Sequence, residues 1–375
     1  MKTIMPYKTI GMIGGGQLGK MMAQCAKAMG YTVAVLDPTP NSPCGQVSDI
    51  EITADYNDME AIKKLADLSD VITYEFENID YDALVWLEKN ANLPQGSHVL
   101  KITQHRYSEK KAISDMGIPV AQFDLIDSEA SLKEKVYYPS VLKTTRGGYD
   151  GKGQVVLKTE ADLATALELV KNNECILEKW ISYDMEISVI IARSTTGEVS
   201  IFPVAENIHK NNILHQTIVP CRASNAVQEK ARAYAETIAE KLNVIGLIAV
   251  EMFVVGEEIY INELAPRPHN SGHYSMDACI TGQFEQHIRA VCSLPLGETT
   301  LLSPAIMVNI LGDHMDKENM SNLERYMPLL NKGKIHLYGK AQAVNKRKMG
   351  HVNILGETDE VLELINKTGI WENSV

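Results

Sequence analysis

Arg146-Gly147-Gly148-Tyr149-Asp150-Gly151-Lys152-Gly153 holds four glycines in eight residues. Its flanks, Tyr138 to Lys143 and Gln154 to Lys158, are rich in strand-forming residues, so the stretch reads as the loop of a hairpin. It is not a Walker A loop, because Lys152 is followed by Gly153 and then by a strand, where that motif needs Ser or Thr and then a helix. With no side chains to block approach, its amides can wrap phosphate oxygens. Arg146 and Lys152 add positive charge. A hairpin tip without a ligand rarely needs this many glycines and two cations.

A second hairpin lies about a hundred residues on. Glu251 sits in Ile248-Ala249-Val250-Glu251-Met252-Phe253 and Glu263 in Ile259-Tyr260-Ile261-Asn262-Glu263-Leu264, with Gly256 between. A three-residue loop centred on Gly256 would set Glu251 opposite Ile261, with Glu263 diagonal on the same face. A two-residue loop would break that alignment. Carboxylates sharing an apolar face repel unless a cation lies between them. Magnesium carried with ATP phosphates suits such a pair; the alternative is an edge hairpin with solvated acids.

Outward from these hairpins the texture differs. The first 105 residues alternate strand and helix: Thr9 to Ile13, Gln17 to Met29, Tyr31 to Leu36, the helical stripe Met59, Ile62, Leu65, Leu68, and Val71 to Tyr74. This predicts a parallel sheet with helices on both faces. Gly14-Gly15-Gly16-Gln17-Leu18-Gly19, with Asp37 after the next strand, fits the dinucleotide fingerprint. Amides at a helix N-terminus attract any phosphate, so a nicotinamide or flavin site, another phosphate ligand and tight packing all stay open here. From Arg106 a helix runs to about Met116. Antiparallel signals then dominate, including Ile187 to Arg193 and Val199 to Val204 around Thr196-Gly197. Strands near Ile306 and His351 and a last helix near Glu357 close the chain. The expected fold class is mixed α/β and α+β, in three segments: 1–105, 106–293 and 294–375.

A net charge of -12 argues against a general nucleic-acid binder, and no apolar run approaches the ~20 residues of a membrane span. The six cysteines show no C-x-x-C spacing, which fits reduced thiols in the cytoplasm.

Taken in order, these pieces resemble the ATP-grasp superfamily. Five motifs sharpen the resemblance: the first glycine loop, Tyr74-Glu75-Phe76-Glu77-Asn78, the second glycine loop, Asn262 to His273, and Arg347-Lys348-Met349-Gly350-His351. Together they are similar to the 5-(carboxyamino)imidazole ribonucleotide synthases of purine biosynthesis. The resemblance implies an ATP-grasp architecture with a Rossmann-like N-terminal domain and a small C-terminal domain. It implies a homodimer that joins 5-aminoimidazole ribonucleotide to bicarbonate, with ATP cleaved to ADP and phosphate. Arg106, Lys143, Gly148, Tyr149, Asp150, Gly151, Lys152, Gly153, Gln154, Glu178, Lys179, Trp180, Ile181, Glu186, His209, Asn262 and Glu263 would hold ATP. Glu251 and Glu263 would hold magnesium, and Arg267, His269 and Asn270 would meet bicarbonate. Gln17, Leu18, Glu75 and Asn78 would face the aminoimidazole nucleotide, with Lys340, Arg347 and Lys348 on its phosphate. The first glycine loop would then serve substrate. Two departures stand out: His105 replaces an Asp common before the Arg106 position, and Val344-Asn345-Lys346 replace an arginine and glycine ahead of the basic run.

The chemistry suits these residue types. Bicarbonate must be phosphorylated before an amine attacks it, and phosphoryl transfer needs positioning and charge neutralisation. Arg267 can grip a planar anion through two donors, which Lys cannot. A flap over ATP keeps water from the activated carboxylate. His269 and His273 are candidate proton carriers.

Overall fold

The computed structural model describes residues 2–148, 152–315 and 322–371; Tyr149, Asp150 and Gly151 of the second glycine loop lie outside them. Thr9–Ile13 pairs in parallel with Thr32–Asp37 on one side and Val71–Tyr74 on the other. Successive residues of a strand face opposite sides. Ile10 and Met12 therefore pack with Met21 and Met22 of the helix Gln17–Ala28, while Ile13 joins Ile62 and Leu65 of the helix Met59–Leu68. The parallel sheet with helices on both faces is observed. A fourth strand, Ile50–Thr53, borders Thr32–Asp37 at the edge. Only its Ile52 is buried, so it carries too little periodicity to show in the sequence.

From Arg106 onward the strands pair antiparallel, apart from an isolated parallel bridge between Val120 and Ile261. Phe123–Ile126, Cys175–Lys179, Ser140–Thr144 and Gln154–Leu157 form a four-stranded sheet in that order, and the second glycine loop joins the last two strands. Glu178 and Lys179 thus belong to the strand Cys175–Lys179.

The glutamate hairpin begins a nine-stranded sheet. From Glu258–Ala265 and Gly246–Val255 this sheet crosses Met185–Arg193, Ala205–Lys210 and Ile213–Val219, then continues through Ala305–Leu311, Lys348–Leu355 and Gly333–Leu337; the ninth strand, Val199–Ile201, pairs with Met185–Arg193 off this path. The final segment therefore does not build a sheet of its own. Ala305–Leu311 pairs with Ile213–Val219, which puts Lys348 on the same sheet as Glu251.

The hairpin loop has two residues, since Val255 pairs with Glu258. The expected three-residue loop is not formed. By the two-residue register alone Glu251 would face Asn262, and Glu263 would point through the sheet. A β-bulge corrects this: the register shifts by one between Met252 and Glu251, and Glu251 lies directly opposite Glu263. The buried ammonium of Lys110 clasps the carbonyls of Ile261 (3.0 Å) and Asn262 (2.6 Å) at that point. Among the described residues no helix is long and apolar enough to cross a membrane.

Candidate active site

A cleft of about 960 Å³ opens between the four-stranded and nine-stranded sheets. The small sheet lends it Lys143, Gln154, Glu178 and Lys179, and Trp180 and Ile181 follow at its edge. The large sheet lends Glu186, His209, Glu251, Asn262 and Glu263. Arg106, Gly148, Lys152, Arg267, His269 and Asn270 also line it. Gly153 closes the base of the flap, where its carbonyl accepts the Thr144 amide at 2.9 Å. Gly147 and Gly153 bracket the flap with φ of 75° and 69°, a backbone region glycine enters without strain.

Charge in the cleft is closely paired. Arg106 donates to Glu263 Oε2 at 2.9 Å and to the Gly148 carbonyl at 2.7 Å, linking the hairpin to the flap. Burial opposes ionisation of Glu263, but Arg106, Lys143 and Lys110 outweigh it and hold its pKa below the usual carboxylate value. Glu251 has no such retinue. Burial and the facing Glu263 push it up to about 8, and its Oε1 lies 3.1 Å from His269 Nε2. Two facing carboxylates, one of them reluctant to ionise, form a site whose repulsion a divalent cation would relieve. No group of three or more His, Cys, Asp or Glu suited to a metal occurs among the described residues. Two carboxylates completed by phosphate oxygens is a set that magnesium accepts.

Glu178 is buried with Lys143 at 3.1 Å and Lys110 at 3.6 Å. Burial would raise its pKa, and the two ammonium groups more than offset that. Its Oε1 is a buried acceptor without a donor among the described residues. Glu186 accepts the Tyr183 hydroxyl and lies 2.8 Å from His209 Nδ1. Burial disfavours both charges of that pair, yet mutual attraction lowers the Glu186 pKa and raises that of His209. The Tyr183 ring stacks on Phe253 with centroids 4.5 Å apart.

Arg267 Nε lies 3.1 Å from Glu77 Oε1, and its Nη1 donates to the Pro268 carbonyl at 3.1 Å. Burial and the charge of Arg267 hold the His269 imidazole neutral, well below its ordinary pKa. Asn270 forms a reciprocal amide pair with Asn309, at 3.0 and 2.7 Å. His273 does not line the cleft; its ring lies against that of His351, with centroids 4.6 Å apart and planes tilted by 33°.

The first glycine loop is already occupied by carboxylates. Gly15 donates to Asp37 Oδ2 at 2.6 Å, and Gly16 and Gly19 both donate to Glu75. Asp37 also accepts Tyr56 and the Thr39 amide. A dinucleotide pyrophosphate would have to displace Glu75, so the fingerprint does not describe a cofactor site here. Gln17 is half-buried on the first helical turn, and Leu18 is a core residue. Lys20 donates to the Tyr338 carbonyl at 3.1 Å and Gln46 to that of Gly339 at 2.8 Å. These ties bring Lys340 towards Glu75. Burial pushes the Lys340 ammonium down to about 8, helped by Arg347 and opposed by Glu75. Lys340 donates to the Lys348 carbonyl at 2.8 Å and Arg347 to that of Gln342 at 3.5 Å. Lys348 also lines the large cleft, as does the exposed Asn78.

Four contributors escaped the sequence reading. Lys110 had a usable signal, since it follows Arg106 by four and so shares its helix face. Glu77 is the second acid of Glu75-Phe76-Glu77. Tyr183 and Asn309 have no local signal. His105 caps the helix that follows it: its Nδ1 accepts the Ser108 amide at 3.3 Å, the N-cap role an Asp would fill.

Known proteins answer to this geometry. The N5-carboxyaminoimidazole ribonucleotide synthase of Bacillus subtilis is 55% identical over 376 residues, covering 99% of this chain and 97% of its own. The chain belongs to the N5-carboxyaminoimidazole ribonucleotide synthase family. A solved synthetase of that name, in its ADP complex, superposes with a TM-score of 0.95 at 58% identity over 99% of both chains. The synthase from Aspergillus clavatus, in complex with ADP and 5-aminoimidazole ribonucleotide, gives 0.87 at 30% identity over 96% of this chain and 98% of its own. In agreement with the synthase family, residues 7–104 match the ribonucleotide synthetase preATP-grasp domain and 111–284 the ATP-grasp domain. Residues 305–364 match the phosphoribosylaminoimidazole carboxylase C-terminal domain.

Proposed function

We propose that the protein is an ATP-dependent carbon–nitrogen ligase of purine biosynthesis that carboxylates 5-aminoimidazole ribonucleotide with bicarbonate. The observation that carries this reading is the convergence of Glu251, Glu263 and Arg267 on one cleft beneath a glycine flap. A bicarbonate oxygen attacks the γ-phosphorus, ADP leaves, and the activated carboxyl passes to the substrate amine as phosphate departs. Glu251 and Glu263 hold magnesium, which would neutralise phosphate charge. Lys143, Glu178 to Ile181, Glu186 and His209 seat the nucleotide, and Arg106 ties the flap to the hairpin. Gln17, Glu75 and Asn78 face the aminoimidazole, and Lys340, Arg347 and Lys348 take its phosphate. We assign three units, 1–105, 106–293 and 294–375, in a cytoplasmic homodimer; six free cysteines fit that compartment.

An ADP-release assay with bicarbonate and varied amines tests the reaction. ADP formation should require both bicarbonate and 5-aminoimidazole ribonucleotide. Equal turnover with another amine acceptor would make this a different ligase of the same superfamily.

A further inference from the structure

The strand Val71–Tyr74 ends in a segment carrying two acids, Glu75 and Glu77, two residues apart. They do different work. Glu75 points back to the helix N-terminus, where it takes the Gly16 and Gly19 amides. Glu77 lines the large cleft and meets Arg267, a residue about 190 positions away. Its Oε1 is shielded from solvent and approaches Arg267 Nε at 3.1 Å, without the alignment of a full hydrogen bond.

A guanidinium offers five donors in a rigid plane, so fixing one edge decides which edge is left. With Nε turned to Glu77 and Nη1 donating to the Pro268 carbonyl, the spare donors are those of Nη2 and the second hydrogen of Nη1. One Nη2 hydrogen shares the Nε edge that faces Glu77; the other, with the Nη1 hydrogen beside it, makes the end-on edge, which can grip a planar three-oxygen anion through two parallel bonds. We propose that Glu77 is a positioning residue for bicarbonate, turning the end-on edge of Arg267 to the anion. This rests on the ligase reading above and deepens it. The first 105 residues would then orient the arginine for the co-substrate as well as face the aminoimidazole. The same short segment would link the two subsites.

The test is steady-state kinetics of Glu77→Ala, Glu77→Gln, Arg267→Lys and the double variant Glu77→Ala/Arg267→Lys. Wild-type ADP release that ignores bicarbonate would overturn the ligase reading itself, and is recognised before any variant is compared. Given a bicarbonate-dependent wild type, Glu77→Ala should raise the KM for bicarbonate roughly ten- to a hundredfold, the scale of a lost contact to a charged group. The KM for ATP should stay within about threefold. Glu77→Gln keeps an acceptor for Nε and should recover most of the loss. In the Arg267→Lys background the Ala change should cost little more, because the edge it sets is gone. An unchanged KM for bicarbonate in Glu77→Ala, an equal rise for ATP, or full additivity in the double variant would overturn the proposal. If the alanine variant does not fold, Glu77→Met, which keeps the bulk and removes the carboxylate, takes its place in every comparison.

Discussion

Glu263 is asked to do two things, to face Glu251 across the hairpin and to accept Arg106 from the helix Arg106–Asp115. Glu263→Ala should therefore abolish turnover, by roughly a thousandfold or more in kcat, while circular dichroism and melting stay near wild type. Retained turnover in a folded variant would remove the metal role. Lys340 gives a second residue-level expectation, and its sign follows from its environment. Burial holds its pKa near 8, so the free enzyme loses that positive charge as pH rises through that value. A phosphate partner needs the protonated form. kcat/KM for the aminoimidazole nucleotide should thus fall above about pH 8. Lys340→Arg, whose charge does not titrate there, should flatten the decline. A wild-type profile level to about pH 10 would count against a clamp role for Lys340.

At the scale of elements, the glutamate hairpin shows what was legible and what was not. Both strands, their turn and the two acids stand in the sequence as alternating apolar residues around Gly256. The bulge does not, because it has no composition signal: Asn262 is simply one residue too many for the loop that forms. Its cause is tertiary, the Lys110 ammonium between two consecutive carbonyls. Similarly, the parallel sheet was legible from glycine, apolar runs and helical stripes, whereas Ile50–Thr53 and the union of the last strands with the central sheet were not. Pairing partners far apart in the chain leave no local trace. The first glycine loop was legible as a strand–turn–helix but not as a site filled by Glu75, since a carboxylate 59 residues away completes it. Deleting Asn262 removes the extra residue and leaves Glu263 next in line to pair with Glu251, so the two acids should still face each other without the bulge. Lys110→Met should weaken the same geometry and, by stripping a buried partner from Glu178, cost about 3–5 kcal/mol in denaturant unfolding. A Lys110→Met variant as stable as wild type would show that the ammonium does not hold the bulged hairpin in place.

Across the whole molecule, the parallel sheet and the large sheet are joined by a polar chain within an apolar contact. His287 lies on the helix Gln283–Val291, whose Phe284, Ile288 and Val291 pack against Met21 and Met22 of the first helix. Its Nδ1 accepts the Leu247 amide at 3.3 Å, so Nε2 carries the proton and donates to Thr73 Oγ1 at 2.7 Å. Thr73 in turn donates to Gln95 Oε1 at 2.5 Å. A second proton on His287 would set N–H against N–H at Leu247. Burial accordingly pushes its pKa down to about 3, against about 6.5 in an unfolded chain. Between those values the unfolded state binds the extra proton, so stability rises with pH through the window and is lost as pH falls through it. This one imidazole should contribute about 2 kcal/mol of lost stability between pH 7.5 and pH 5. His215, also held near 3 by burial, adds to the loss. Urea unfolding of wild type and His287→Gln at the two pH values isolates the share of His287. The variant starts roughly 1–3 kcal/mol less stable at neutral pH from a disturbed hydrogen-bond chain, yet its further loss on acidification should be smaller than wild type by about 2 kcal/mol. Equal losses in the two proteins would mean that His287 already takes up its proton in the folded state, and that the junction between the sheets is not what acid attacks.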